Sequence, residues 1–137
     1  MNDARVIFIM AYFLTLIDTS GRPNFTVSLA TPMYMSSHGR VGLVQLRVNH
    51  LEGQVPFQIM SDVAEPLESL TKHKSPHYGV ITRLLLKEHG FWQTDHPTFL
   101  PVNKTRYDRI QIYLRTTRGL LHTSPGKTLI TFHFKPP

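Results

Sequence analysis

The chain has 137 residues, contains no cysteine and carries a formal net charge of +6. This length suits one domain, which would bury about two thirds of the surface that the unfolded chain exposes. The lack of cysteine excludes disulfides, thiolate zinc sites and a cysteine nucleophile. The positive charge favours contact with an anionic partner, but it specifies neither a fold nor a ligand.

An apolar run at residues 6–17 has the length of a signal-peptide core and is shorter than the roughly 20 residues of a membrane span. The acidic Asp3 before it, and the lack of a small-x-small cleavage pattern after it, argue against a signal. We therefore predict a buried strand, with residues 1–12 as a candidate N-terminal extension, and we expect neither secretion nor membrane contact. A secreted β-sandwich binder is the alternative, and the sequons at Asn24 and Asn103 would matter only in that case.

Short segments of strand-forming residues recur along the chain between clusters of Gly, Pro, Asn or Ser. Several short strands at such spacing predict an antiparallel β-sandwich or barrel, and no linker or repeat divides it. The leucine-rich segment at 80–86 also suits a helix, but we predict a strand there. The predicted strands after the N-terminal run are 25–29, 41–48, 57–63, 80–86, 110–114 and 128–134.

The clearest alternation lies near the end of the sequence, in the last two predicted strands. Apolar side chains at 110, 112 and 114 point one way and polar ones point the other, and 128–134 repeats the pattern. We predict that these two strands pair across the long connection between them. We also expect His133 on the wetter face of the last strand.

Residues typical of catalysis do not form a recognisable pattern, so we predict no enzyme, no cofactor and no metal site. Gly126-Lys127-Thr128 resembles the end of a phosphate-binding loop, but the first glycine position holds Leu121 and strand-forming residues follow. His73 and His77 have helical metal-ligand spacing, but a proline separates them. Asp62 and Glu65 fit a strand exit held by hydrogen bonds from side chain to backbone.

One face of the strand at 110–114 carries basic and aromatic residues that could contact a partner. Arg109, Tyr113 and Arg115 share one side of this strand with Gln111. Such a face could contact phosphates, and a solvated outer face explains it as well. We take Arg109, Tyr113 and Arg115 as the candidate interaction face.

Four segments, in order, resemble a known family: FLTLIDTSGRPNFTVSLATPMYM, GRVGLVQLRVNH, FQIMSDVAEP and RYDRIQIYLRTTRGLLHTSPGKTLITFHFKPP. They closely resemble segments of the penton-like minor capsid proteins of Polinton (Maverick) elements and adintoviruses. The last segment is the most specific, with two alternating strands around Gly119 and Gly126-Lys127 and a final strand of Leu/Ile-Thr-Phe-His-Phe type. The resemblance covers most of residues 13–134 by pattern and not by close identity.

This resemblance implies a single jelly roll that forms homopentamers at the vertices of an icosahedral capsid. Its partners would be copies of itself and a separate double jelly-roll major capsid protein. It would occur in the virion, and inside the host cell during assembly. A small basic β-domain that binds nucleic acid is the alternative function.

The sequence departs from the family between VNH and FQIM, where only residues 51–56 intervene instead of a longer stretch with further strands. This shortening could remove core strands from the eight of a jelly roll. Two interpretations follow from it. The chain is either a compact capsid-like protein that still assembles, or an endogenous copy that folds in part or serves a new purpose.

Overall fold

A computed structural model describes residues 4–10, 13–48, 55–64, 79–86, 90–116, 119–120 and 127–136. Within these ranges the chain forms strands and no helix, which confirms the all-β prediction and the strand at 80–86. The strands are β1 (Ala4–Met10), β2 (Phe13–Asp18), β3 (Asn24–Tyr34), β4 (Arg40–Arg47), β5 (Val55–Ser61), β6 (Gly79–Leu86), β7 (Phe91–Gln93), β8 (Leu100–Pro101), β9 (Arg106–Thr116), β10 (Gly119–Leu120) and β11 (Thr128–Lys135).

The strands form two antiparallel sheets. Sheet A has the order β1-β2-β11-β4-β7, and the short β8 pairs with the other end of β4. Sheet B has the order β10-β9-β5-β6, with β3 also paired to β9. Because β3 and β5 both pair with residues 112 and 113, they lie on opposite sides of β9.

The pairing of eight of these strands is nested. From the outside inward, β2 pairs with β11, β3 with β9, β4 with β7 and β5 with β6. Two further pairings, β11 with β4 and β9 with β5, join these hairpin-like pairs into the two sheets. The remaining short or edge strands are β1, β8 and β10.

One hydrophobic core lies between the two sheets. The strands β9 and β11 contribute alternate residues, because successive side chains in a strand point to opposite faces. Sheet A supplies residues such as Leu16 and Phe132, and sheet B supplies Ile59 and Ile112, all fully buried. The rings of Tyr107 in sheet B and Phe134 in sheet A approach to 6.5 Å between centroids.

Two expectations about strand partners were wrong. The segments at 110–114 and 128–134 do not pair, because they belong to β9 in sheet B and to β11 in sheet A. Alternation identifies the face that enters a core, but two strands facing the same core from opposite sheets show the same alternation. The run at 6–17 is not one strand but the antiparallel pair β1 and β2, so residues 4–10 of the candidate extension belong to sheet A.

A glycine on the outer face of sheet A lets a connection cross close to the sheet. Gly42 is buried, and a Cβ atom added there would lie 2.9 Å from the carbonyl oxygen of Thr98 and 3.1 Å from Cβ of Pro97. Real Cβ atoms essentially never approach backbone so closely. The segment at 97–99 therefore packs over β4 because residue 42 has no side chain.

We expect Gly42→Ala to lower the free energy of unfolding by about 1–3 kcal/mol, since the methyl group must displace backbone and not a flexible side chain. Urea unfolding measures this change. Ser28→Ala, a small change on an exposed part of β3, should stay within about 0.5 kcal/mol of the parent. Equal stabilities of the Gly42 variant and the parent would contradict the close crossing.

Candidate functional site

The predicted interaction face lies on the outer side of sheet B, along β9. Arg109 is exposed, Tyr113 and Arg115 are half-buried, and the alternating residues Ile110 and Ile112 are fully buried. The structure thus places Arg109, Tyr113 and Arg115 on one face together with Gln111, as the alternation predicts. We call Arg109, Gln111, Tyr113 and Arg115 the arginine face, and its role in binding stays a prediction.

The strands beside β9 add mainly polar groups to this surface. In the antiparallel register, β3 places Ser28 opposite Arg109, Thr26 opposite Gln111 and Asn24 opposite Tyr113. On the other side, β5 places Gln58 opposite Arg115 and Met60 opposite Tyr113. Directly opposed residues share one face of a sheet. Hydroxyl and amide groups therefore flank the arginine face.

The cations on and before β9 differ in whether a carboxylate neutralises them. Arg106 binds Asp108 at 3.1 Å, and Lys104 binds Asp62 at 3.3 Å. No carboxylate in the described part of the chain lies within salt-bridge distance of Arg109 or Arg115. Among the described cations on and before β9, those without a carboxylate partner therefore lie on the arginine face.

An exposed tyrosine lies beside the first residue of β9. Tyr34 of β3 is directly opposite Arg106 in the register, and its side chain is 69% exposed. The guanidinium carbon of Arg106 lies 5.8 Å from the centroid of the Tyr34 ring, within cation–π range. Tyr34 was not among the predicted site residues, because a single tyrosine at a strand end has no periodic signal.

A buried hydrogen-bonded corner fixes the start of β9 against the end of β5. The Tyr107 hydroxyl donates to the carbonyl oxygen of Val63 at 2.8 Å and accepts from the backbone N–H of Lys104 at 3.1 Å. The carboxylate of Asp62 accepts from the backbone N–H of Gln111 at 3.0 Å and pairs with Lys104. This agrees with the predicted structural role of Asp62, whereas Glu65 lies outside the described residues.

The outer face of sheet A carries an aromatic cluster that the sequence analysis did not identify. The His133 ring stacks on Phe13 with centroids 4.3 Å apart and meets the edge of Phe99 at 5.3 Å. The ammonium group of Lys135 lies 4.3 Å from the centroid of Phe99. His133 is half-buried beside fully buried Phe132, so its predicted place on the wetter face is confirmed. Burial, followed by the charge of Lys135, lowers the pKa of His133.

The remaining candidate sites from the sequence are a phosphate-binding loop and a metal site. Thr128 begins a strand and not the helix that a phosphate-binding loop requires. No group of three or more histidine and acidic residues among those described could hold a metal ion, and His73 and His77 lie outside the described ranges. A search of the described residues also finds no helix long and apolar enough to cross a membrane.

Tyr107→Phe should lower the free energy of unfolding by about 1–3 kcal/mol, because a buried carbonyl and a backbone N–H lose their shared partner. The stability should also respond to alkaline pH. Burial raises the pKa of Tyr107 above 10.0, and the nearby Asp62 charge adds to this, while backbone hydrogen bonds act in the opposite direction. A folded-state pKa above the unfolded value means that this stabilisation is complete below about pH 10 and is lost as pH rises further.

Urea unfolding at neutral pH and at several pH values above 10 tests both parts of the Tyr107 prediction. The parent should lose stability more steeply in the alkaline range than the Tyr107→Phe variant, because the variant lacks the titrating hydroxyl. Tyr34→Phe, at an exposed position, is the matched control and should keep the parent's slope. Parallel curves for parent and Tyr107→Phe would show that the hydroxyl is not held as described.

Acid should weaken the packing around His133. Its pKa lies below 6.5 in the folded protein, so the stabilisation is present above that pH and is lost as pH falls through the folded-state value. His133→Phe keeps a stacked ring but cannot be protonated, so its stability should decrease less between neutral and mildly acidic pH. His38→Gln, at an exposed position, is the control. Thermal unfolding across this pH range measures the difference, and an unchanged acid dependence in His133→Phe would refute it.

Comparisons of the chain with protein-family models, with curated proteins and with solved structures find no match.

Proposed function

We propose that the chain is a single jelly roll that acts as a structural subunit, a penton-like protein forming homopentamers at the vertices of an icosahedral capsid. Copies of the chain and a double jelly-roll major capsid protein are its proposed partners. The observation that carries this proposal is the nested pairing of eight strands. Because one fold can serve many functions, the strand pairing alone does not select a function. The capsid role is proposed because four sequence segments resemble, in order, segments of penton-like proteins.

A jelly roll consists of eight antiparallel strands in two sheets with Greek-key connections. In this fold the first strand pairs with the eighth, the second with the seventh, the third with the sixth and the fourth with the fifth. This long hairpin rolls up, so that the eighth strand also pairs with the third and the seventh with the fourth. Numbered one to eight, β2, β3, β4, β5, β6, β7, β9 and β11 make the four nested pairings and both additional ones. The strand order in the two sheets therefore supports this fold.

The short connection at 49–54 does not conflict with the proposed jelly roll. All eight strands of the nested pattern have a counterpart, including β4 before this connection and β5 after it. Under this proposal the shortening relative to penton-like proteins removes part of a loop and no strand. A jelly roll with missing core strands is the alternative to this proposal.

The chemistry of the outer face of sheet A suits a contact between subunits. A ring requires heterologous contacts, in which two different patches of each subunit meet. The aromatic cluster around Phe13 and His133 supplies one patch for such a contact, and the arginine face of sheet B lies outside it. A dimer with twofold symmetry would instead use one self-complementary patch.

The solution mass of the purified chain, measured by light scattering at low and at physiological salt, tests the assembly. We expect a mass near that of five chains at both salt concentrations, with circular dichroism showing β-structure. Negative-stain electron microscopy of the same sample should show rings with fivefold symmetry. A folded chain that stays monomeric at high concentration, or that forms only dimers, would contradict the proposed vertex role.

A further inference from the structure

We propose that the arginine face of sheet B binds single-stranded nucleic acid through its phosphate backbone. This activity goes beyond the proposed capsid role and does not depend on it, since all the residues involved belong to one chain. Three features of this face suit such a ligand: its charge, the spacing of its arginines along β9 and the chemistry of the flanking strands.

Several cations of the described residues already contact a carboxylate or an aromatic ring, and Arg109 and Arg115 do not. Lys104 and Arg106 are already paired with carboxylates at 3.3 and 3.1 Å. On sheet A, Arg47 lies 5.3 Å from the Phe91 ring centroid, and Lys135 lies over Phe99. Arg109 and Arg115 have neither kind of partner within the described ranges. A phosphate binding there displaces no ion pair between described residues.

The spacing of the two arginines along β9 suits an extended ligand. Arg109 and Arg115 are six residues apart on one face of a strand, which corresponds to about 20 Å at roughly 3.3 Å per residue. This separation lets two different phosphates of one strand contact the two arginines. The serine, threonine and asparagine of β3 and Gln58 of β5 flank this line and can donate hydrogen bonds to phosphate or sugar oxygens. A nucleic acid strand lying along β9 would therefore meet charge at both ends and polar groups between them.

The position of the arginine face on the surface of a sheet favours a single strand over a duplex. Direct reading of a duplex requires a helix or a two-stranded ribbon that enters a groove, and the described residues place the arginine face on the surface of a sheet. Sheet surfaces bind single strands by combining a basic track with aromatic rings on which bases stack. Tyr113 lies between the two arginines, and the exposed Tyr34 lies at the end of β3 opposite Arg106.

Fluorescence anisotropy with a labelled oligothymidine of roughly 16 nucleotides, the upper end of the site size for single-strand-binding sheets, tests the proposal. Binding is measured over a series of salt concentrations. Arg109→Gln/Arg115→Gln should make the slope of log K against log salt shallower by about 1.4, because each lost phosphate contact on a single strand accounts for roughly 0.7. This corresponds to roughly a sevenfold smaller loss of affinity between 50 and 200 mM salt.

Arg22→Gln/Arg40→Gln is the matched control, because both arginines are exposed and neither lies on the arginine face. It removes the same charge and should keep the parent's slope. Arg109→Lys/Arg115→Lys keeps both charges and should also keep it. The proposal is overturned if the parent does not bind, if the two glutamine variants lose binding equally, if the lysine variant loses it, or if a duplex of equal length binds more tightly.

The solution mass of each variant separates this inference from the proposed function. A parent that is monomeric but binds the oligonucleotide through Arg109 and Arg115 would refute the vertex role and support the binding face. A parent that forms pentamers but does not bind the oligonucleotide would support the vertex role and refute the binding face. A glutamine variant that loses assembly as well as binding would place these arginines in a contact between subunits and would count against the binding face.

Discussion

The pairing of β9 with strands on both of its sides is the constraint on which the rest of the structure depends. One row of its side chains, including Ile110 and Ile112, is fully buried, and the opposite row forms the arginine face. A shift of register by one residue would exchange the two rows. The same pairing therefore determines both the hydrophobic core of sheet B and the chemistry of its outer surface.

The Asp62–Tyr107 corner explains how this register is held. Asp62 follows β5 and binds the backbone N–H of Gln111, while the Tyr107 hydroxyl binds the carbonyl of Val63. These bonds join the residues that follow β5 to the start and to the middle of β9. The bond between Tyr107 and Val63 is buried, so breaking it leaves a polar group without solvent. The corner thus favours one alignment of β5 and β9 over its neighbours.

The sequence predicted most of the strands and the shared face of Arg109, Tyr113 and Arg115, because alternation depends only on local geometry. It did not predict that β9 and β11 belong to different sheets, since alternation contains no information about partners. The division of residues 6–17 into two strands was also missed, because that run has no glycine or proline to mark a turn. The cluster of Phe13, Phe99 and His133 comes from three distant parts of the chain.

The two outer faces of the sandwich are suited to different partners. On sheet A, Phe13 is 37% exposed and stacks on a histidine whose pKa is lowered by its surroundings, so this face resembles the apolar centre of a protein contact. On sheet B, guanidinium groups with no carboxylate partner among the described residues, together with polar neighbours, favour a hydrated, charged partner. A subunit with one face of each kind can contact protein and nucleic acid at the same time. If the chain assembles as proposed, the orientation of sheet B would then determine which side of the ring meets nucleic acid.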